Sequence, residues 1–99
     1  KAIKDIDIVV YLAEIVGDPA CKLLPEDSIR TNFLAVNSMA NLCSYMNISR
    51  FIYTSSCSVY GASEDPEEIL DESSALNPVS HYARIKLASE NSILCLYSI

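Results

Sequence analysis

The sequence predicts an α/β unit: two parallel strands joined through a helix, with a second helix after them. Three patterns carry that reading. The runs from Asp7 to Ala13 and from Arg50 to Ser55 are apolar and rich in β-branched residues. Unbroken runs of that length suit strands buried on both faces of a parallel sheet. Between them, Ile29, Phe33, Val36, Ala40 and Cys43 recur at three- and four-residue steps, one stripe of a helix over 25–47. After them, a helical pattern runs from Pro78 through Tyr97.

Size and composition narrow the function. The 99 residues allow one domain at most, and a 51% apolar content argues against disorder. Thirteen acidic residues against seven basic ones give a net charge of −6, which disfavours nucleic acid and anionic membrane as partners. No apolar run reaches the roughly 18 residues of a membrane span. The opening Lys1-Ala2-Ile3-Lys4-Asp5 leads into too short an apolar run for a signal peptide. Cys21, Cys43, Cys57 and Cys95 have neither Cys-x-x-Cys spacing nor a disulfide rhythm, and His81 is the single histidine. They are expected to be reduced and mostly buried, with no metal site, in a cytoplasmic protein.

The elements follow in order. The first strand ends before Gly17-Asp18-Pro19, which breaks the pattern. Glu14, just past the run, is expected either to repel an anionic ligand or to turn outward to water. Pro25 opens the first helix and Glu26-Asp27 sit in its first turn, where the helix dipole favours acids. Asn47-Ile48-Ser49 fits a glycosylation pattern by coincidence. Gly61 to Leu76 reads as a solvated surface loop, rich in Asp and Glu. Asn77 is placed to cap the last helix, with Pro78 at its first position. Val79, Ala83, Leu87, Leu94 and Tyr97 form an apolar face beside Tyr82 and Lys86.

Tyr82-Ala83-Arg84-Ile85-Lys86 carries chemistry. Residues four apart on a helix share a face, so phenol and ammonium point the same way. A tyrosine is a poor base near neutrality because its pKa lies about 3 units too high, roughly 4 kcal/mol. A fixed positive charge at about 4 Å supplies a term of that order at an effective dielectric near 20. Ser56, in the hydroxyl-rich Thr54-Ser55-Ser56-Cys57-Ser58-Val59-Tyr60-Gly61, is the candidate to hold the oxygen that exchanges the proton. A serine hydrolase built on Ser56 and His81 is disfavoured, because no Gly-x-Ser-x-Gly elbow is present.

The stretch from Phe51 to Gly61, then Asp71-Glu72, then Asn77-Pro78-Val79-Ser80-His81-Tyr82-Ala83-Arg84-Ile85-Lys86 resembles the extended short-chain dehydrogenase/reductases. Within that family it resembles the NAD-dependent epimerase/dehydratases that act on nucleotide sugars. The resemblance implies a Rossmann-type doubly wound parallel sheet, of which 1–99 would be part. It would lack the glycine-rich strand-turn-helix upstream and the substrate-binding region downstream, since Gly17 and Gly61 are the only glycines. It implies Ser56, Tyr82 and Lys86 as catalytic, and Leu12, Ala13, Asn32, Thr54, Tyr82 and Lys86 as binding NAD or NADP. The implied substrate is a nucleotide-diphosphate sugar, epimerised or reduced by reversible hydride transfer.

Two other readings stand beside it. A 4,6-dehydratase would carry Asp-Glu where Cys57-Ser58 stand, which disfavours dehydration. A non-catalytic dinucleotide-sensing module would typically have lost the Tyr or the Lys, and both are present here. The resemblance further implies a homodimer through helices 25–47 and 78–97. Their second apolar faces carry Leu34, Met39, Leu42 and Met46 on one and Ile85, Ile93 and Leu96 on the other. Leu42 and Ile93 are expected at or near that interface.

Overall fold

The computed structural model describes residues 2–97. Strand β1 (Ile8–Tyr11) pairs in parallel with β2 (Arg50–Tyr53), in the register Ile8 to Arg50 through Tyr11 to Tyr53. The register is pinned at its start, where the Asp7 carbonyl accepts from the Arg50 amide at 3.2 Å and from Ser49 Oγ at 2.6 Å. Between the strands run a short helix α1 (Asp18–Leu23) and a long helix α2 over 25–45. After them come a 3-10 turn (Cys57–Tyr60), a long loop and helix α3 (His81–Tyr97).

Helices α2 and α3 pack together on one face of the sheet. Val36, Ala40 and Ile93 form the buried cluster, and Tyr11, Phe51, Tyr53 and Leu96 pack against it. Within this chain the strands are covered on one face. Val9, Tyr11, Phe51 and Tyr53 face the helices, while Ile8, Val10 and Ile52 are exposed on the other side.

Helix α2 is not uniform. A π-helical segment (Arg30–Ala35) separates two α-helical parts, Pro25–Ile29 and Val36–Tyr45. The wider turn lets positions four apart stay on one face, so Ser28, Asn32, Val36 and Ala40 are all fully buried. Ile29, the first member of the predicted stripe, is exposed in consequence. The helix stops at Asn47, whose positive φ of 54° closes a Schellman turn: Asn47 donates to the Ser44 carbonyl and Ile48 to the Cys43 carbonyl. The apparent glycosylation triplet is this helix stop.

Two boundaries depart from the sequence reading. Gly17-Asp18-Pro19 breaks the strand but also starts α1, with Pro19 in its first turn. Helix α3 begins at His81 and is capped by Ser80, whose Oγ accepts from the Ala83 amide at 3.0 Å. Asn77 instead donates its amide to the Val59 carbonyl at 3.0 Å. That contact brings its backbone against Gly61, whose φ is 74° and where a Cβ would run into the Asn77 carbonyl oxygen. The faces of α3 also differ. Ile93 turns to the sheet and is 8% exposed, whereas Leu94 and Tyr97 point outward. Ile93 is thus a core residue and not an interface candidate, while Leu42 on α2 is exposed. Among the cysteines, Cys21 and Cys43 are buried but Cys57 and Cys95 are exposed. Among the described residues no helix is long and apolar enough to cross a membrane.

Candidate active site

The candidate residues gather at the carboxyl ends of β1 and β2, where an open parallel sheet receives its ligands. Lys86 is 1% exposed, and Nζ lies 4.6 Å from the centre of the Tyr53 ring and 5.9 Å from that of Tyr82. Such a position favours a cation over the negative faces of the rings. Its helix brings Tyr82, one turn earlier, to the same side, and Tyr82 is buried. Ser56 caps the 3-10 turn beside it: its Oγ accepts from the Ser58 amide at 3.2 Å and lies 2.8 Å from Ser58 Oγ. The residue in one of the two positions that would serve dehydration is thus a hydroxyl partner of Ser56.

Glu14 is the residue that sequence reasoning placed wrongly. It neither turns to water nor stands free to repel a ligand. Both of its carboxylate oxygens accept from Lys86 Nζ at 2.6 Å, and its side chain is 6% exposed. Tyr53 donates its hydroxyl to Glu14 Oε1 at 3.0 Å. The third Lys86 proton goes to the Thr54 carbonyl at 2.5 Å. One acid in an otherwise apolar stretch between Ile8 and Val16, aimed at the strand ends where a lysine was expected, was the available signal. Tyr53, which serves as both ring platform and Glu14 donor, read only as a strand residue.

This pairing sets the electrostatics. The Tyr82 hydroxyl is pushed above the usual tyrosine value, first by burial and then by the Glu14 carboxylate, while the Ser56 hydroxyl pulls the other way. The Glu14 carboxylate lies with both of its oxygens 2.6 Å from Lys86 Nζ. Tyr53 is raised further, again by burial first and Glu14 second.

Asn32 reaches the site only through the backbone. It is fully buried; its Oδ1 accepts from the Ile15 amide at 2.9 Å and its Nδ2 donates to the Ile15 carbonyl at 2.8 Å. It fixes the segment that carries Glu14. Ser89 on α3 donates to the Asn32 carbonyl at 2.7 Å within the π-helical segment, which ties that turn to α3. Leu12 and Ala13 are exposed at the end of β1, and Thr54 Oγ1 donates to the Tyr11 carbonyl at 3.2 Å. Among the described residues no group of three or more His, Cys, Asp or Glu side chains is placed to hold a metal ion.

Comparison with known proteins gives consistent matches. A family model described as the NAD dependent epimerase/dehydratase family matches residues 1–96. The D-erythronate dehydrogenase of Haemophilus influenzae is 38% identical over 88 residues, 88% of this chain and 27% of that protein. The structure of MoeE5 in complex with UDP-glucose and NAD is 31% identical with a TM-score of 0.86, over 98% of this chain and 31% of that one. A UDP-N-acetylglucosamine 4-epimerase from Methanobrevibacter ruminantium M1, in complex with UDP-N-acetylmuramic acid, is 31% identical with a TM-score of 0.88, over 97% and 30%. The chain spans about a third or less of the length of these relatives.

Proposed function

The chain belongs to the NAD dependent epimerase/dehydratase family, and from that premise we propose that it is the relay-bearing part of an enzyme oxidising a secondary alcohol of a nucleotide sugar. The observation that carries this reading is the buried Lys86 ammonium between the rings of Tyr53 and Tyr82, with Ser56 beside Tyr82. The residues fit the nicotinamide half of NAD. The exposed residues Leu12, Ala13 and Thr54 lie with Lys86 at the strand ends, and the Lys86 ammonium, once released from Glu14, would have donors for ribose hydroxyls. When bound, NAD supplies the hydride acceptor. Ser56 holds the reacting sugar oxygen, and Tyr82 takes its proton. Lys86 steadies the tyrosinate and holds the ribose. Asn32 keeps the β1 loop in place.

A bound NAD would supply reversible hydride transfer, which would allow epimerisation, the reading that the 4-epimerase relative supports. Net dehydrogenation of a small polyhydroxy acid is the second reading, supported by the dehydrogenase relative. The full-length enzyme, given NAD with a UDP-sugar or with an aldonic acid, separates them. Epimer without accumulated reduced NAD supports the first, and stoichiometric reduced NAD with the acid supports the second. Turnover of neither would overturn the proposal.

The 99-residue chain alone is expected not to bind NAD, because Gly17 and Gly61 are its only glycines and form no phosphate-holding turn. Saturable micromolar binding by calorimetry would contradict this. For the full-length enzyme we propose a homodimer through the outer faces of α2 and α3, where Leu34, Leu42, Met46 and Leu94 are exposed. Leu42→Glu should convert the dimer to monomer in sedimentation, and an unchanged assembly would rule Leu42 out of the interface.

A further inference from the structure

Glu14 has chemistry that the proton relay does not use. Lys86 has three protons, and all three are taken, two by the Glu14 carboxylate and one by the Thr54 carbonyl. Both side chains are closed off from water, at 1% and 6% exposure. No donor is therefore left for an incoming hydroxyl while the pair is intact. We propose that Lys86 must leave Glu14 in order to hold the nicotinamide ribose, so that Glu14 competes with the cofactor and limits how tightly it binds. The inference rests on the functional reading above.

The surroundings allow that exchange. If the carboxylate moves away, the ammonium keeps the Thr54 carbonyl and the Tyr53 ring. Asn32 holds the neighbouring Ile15 backbone, so the exchange is a movement of the Glu14 side chain and not of its segment. Tyr53 donates to Oε1, which gives the carboxylate a second partner that is independent of Lys86.

Exchange also changes Tyr82. The groups facing it are Glu14 from the β1 loop, Tyr53 from β2, Ser56 from the 3-10 turn, Asp18 and Cys21 from α1, and Lys86 from its own helix. Of the charged groups, Glu14 acts most strongly against ionisation of Tyr82, and the Lys86 ammonium, 5.9 Å from the Tyr82 ring centre, is the neighbouring cation. Removing the carboxylate leaves the cation unopposed, so the phenol should titrate at lower pH.

The test uses the full-length enzyme with Glu14→Gln, which keeps one acceptor for Nζ, and with Glu14→Ala should the first variant fold poorly. NAD binding is measured by calorimetry. Tyr82 ionisation is read separately, without cofactor, as the tyrosinate absorbance difference between each protein and its Tyr82→Phe counterpart. The expected result is NAD binding tighter by about tenfold, the worth of one freed charged hydrogen bond. The Tyr82 midpoint should fall by about one pH unit or more. A wild-type enzyme that binds NAD, with variants binding no tighter or with an unmoved midpoint, overturns the proposal alone. A wild-type enzyme that binds no NAD overturns the functional reading itself.

Discussion

Tyr82→Phe in the full-length enzyme is expected to lower turnover by about 10²- to 10⁴-fold, the range of a positioned acid–base group. Dinucleotide affinity should stay nearly intact. In the proposed relay the phenol oxygen is the atom at which the proton is exchanged, and Phe removes only that atom. The ring that packs beside Lys86 at 5.9 Å remains. The effect should therefore fall on kcat and not on the fold, and thermal unfolding should shift little. Turnover within tenfold of wild type would remove Tyr82 from the relay.

Lys86→Ala should have the largest structural effect of any single substitution in the site. It leaves the Glu14 carboxylate, 6% exposed, without its cation. Breaking one partner of a buried pair costs about 3–5 kcal/mol. That is a large part of the roughly 5–15 kcal/mol that holds a typical domain folded. Turnover should fall as well, since in the proposed relay the same ammonium serves Tyr82 and the ribose. A second substitution separates the two roles. Glu14→Ala placed on Lys86→Ala removes the stranded carboxylate and should restore much of the stability without restoring turnover. Equal unfolding midpoints for Lys86→Ala and wild type would show that the pair does not support the fold.

Much of this was legible in the sequence, for identifiable reasons. The strands could be read because Ile8, Val9 and Val10, and Phe51, Ile52 and Tyr53, form apolar runs bounded by charge. The Tyr82/Lys86 pair could be read because a four-residue step has one meaning on a helix. The π-helical segment could not, since the phase shift it causes between Ile29 and Val36 comes from backbone hydrogen bonding and leaves no compositional mark. The faces of α3 were misread because apolar residues occur all round it. Leu94 and Ile93 differ by one position, and packing on Phe51 and Tyr53 decides which turns inward. Asn77-Pro78 looked like a helix start, but pairing of Asn77 with Val59 holds it in the loop, and Ser80 takes over the cap.

Glu14 was the least legible residue. A carboxylate after an apolar strand reads as a solvated end, and only the arrival of Lys86 from 72 residues away makes burial affordable. Its inward turn matters more for function than any boundary error, because it changes the charge that Tyr82 feels.

In the proposed function Ser56, Tyr82 and Lys86 act together to move a proton while hydride passes to NAD. Rapid mixing of the full-length enzyme with NAD and a UDP-sugar, followed by the near-ultraviolet absorbance of reduced NAD, tests it most directly. Wild type should show reduced NAD formed within a single turnover, and Tyr82→Phe, with NAD bound to the same extent, should show almost none. Reduced NAD appearing in Tyr82→Phe at the wild-type rate would contradict the relay.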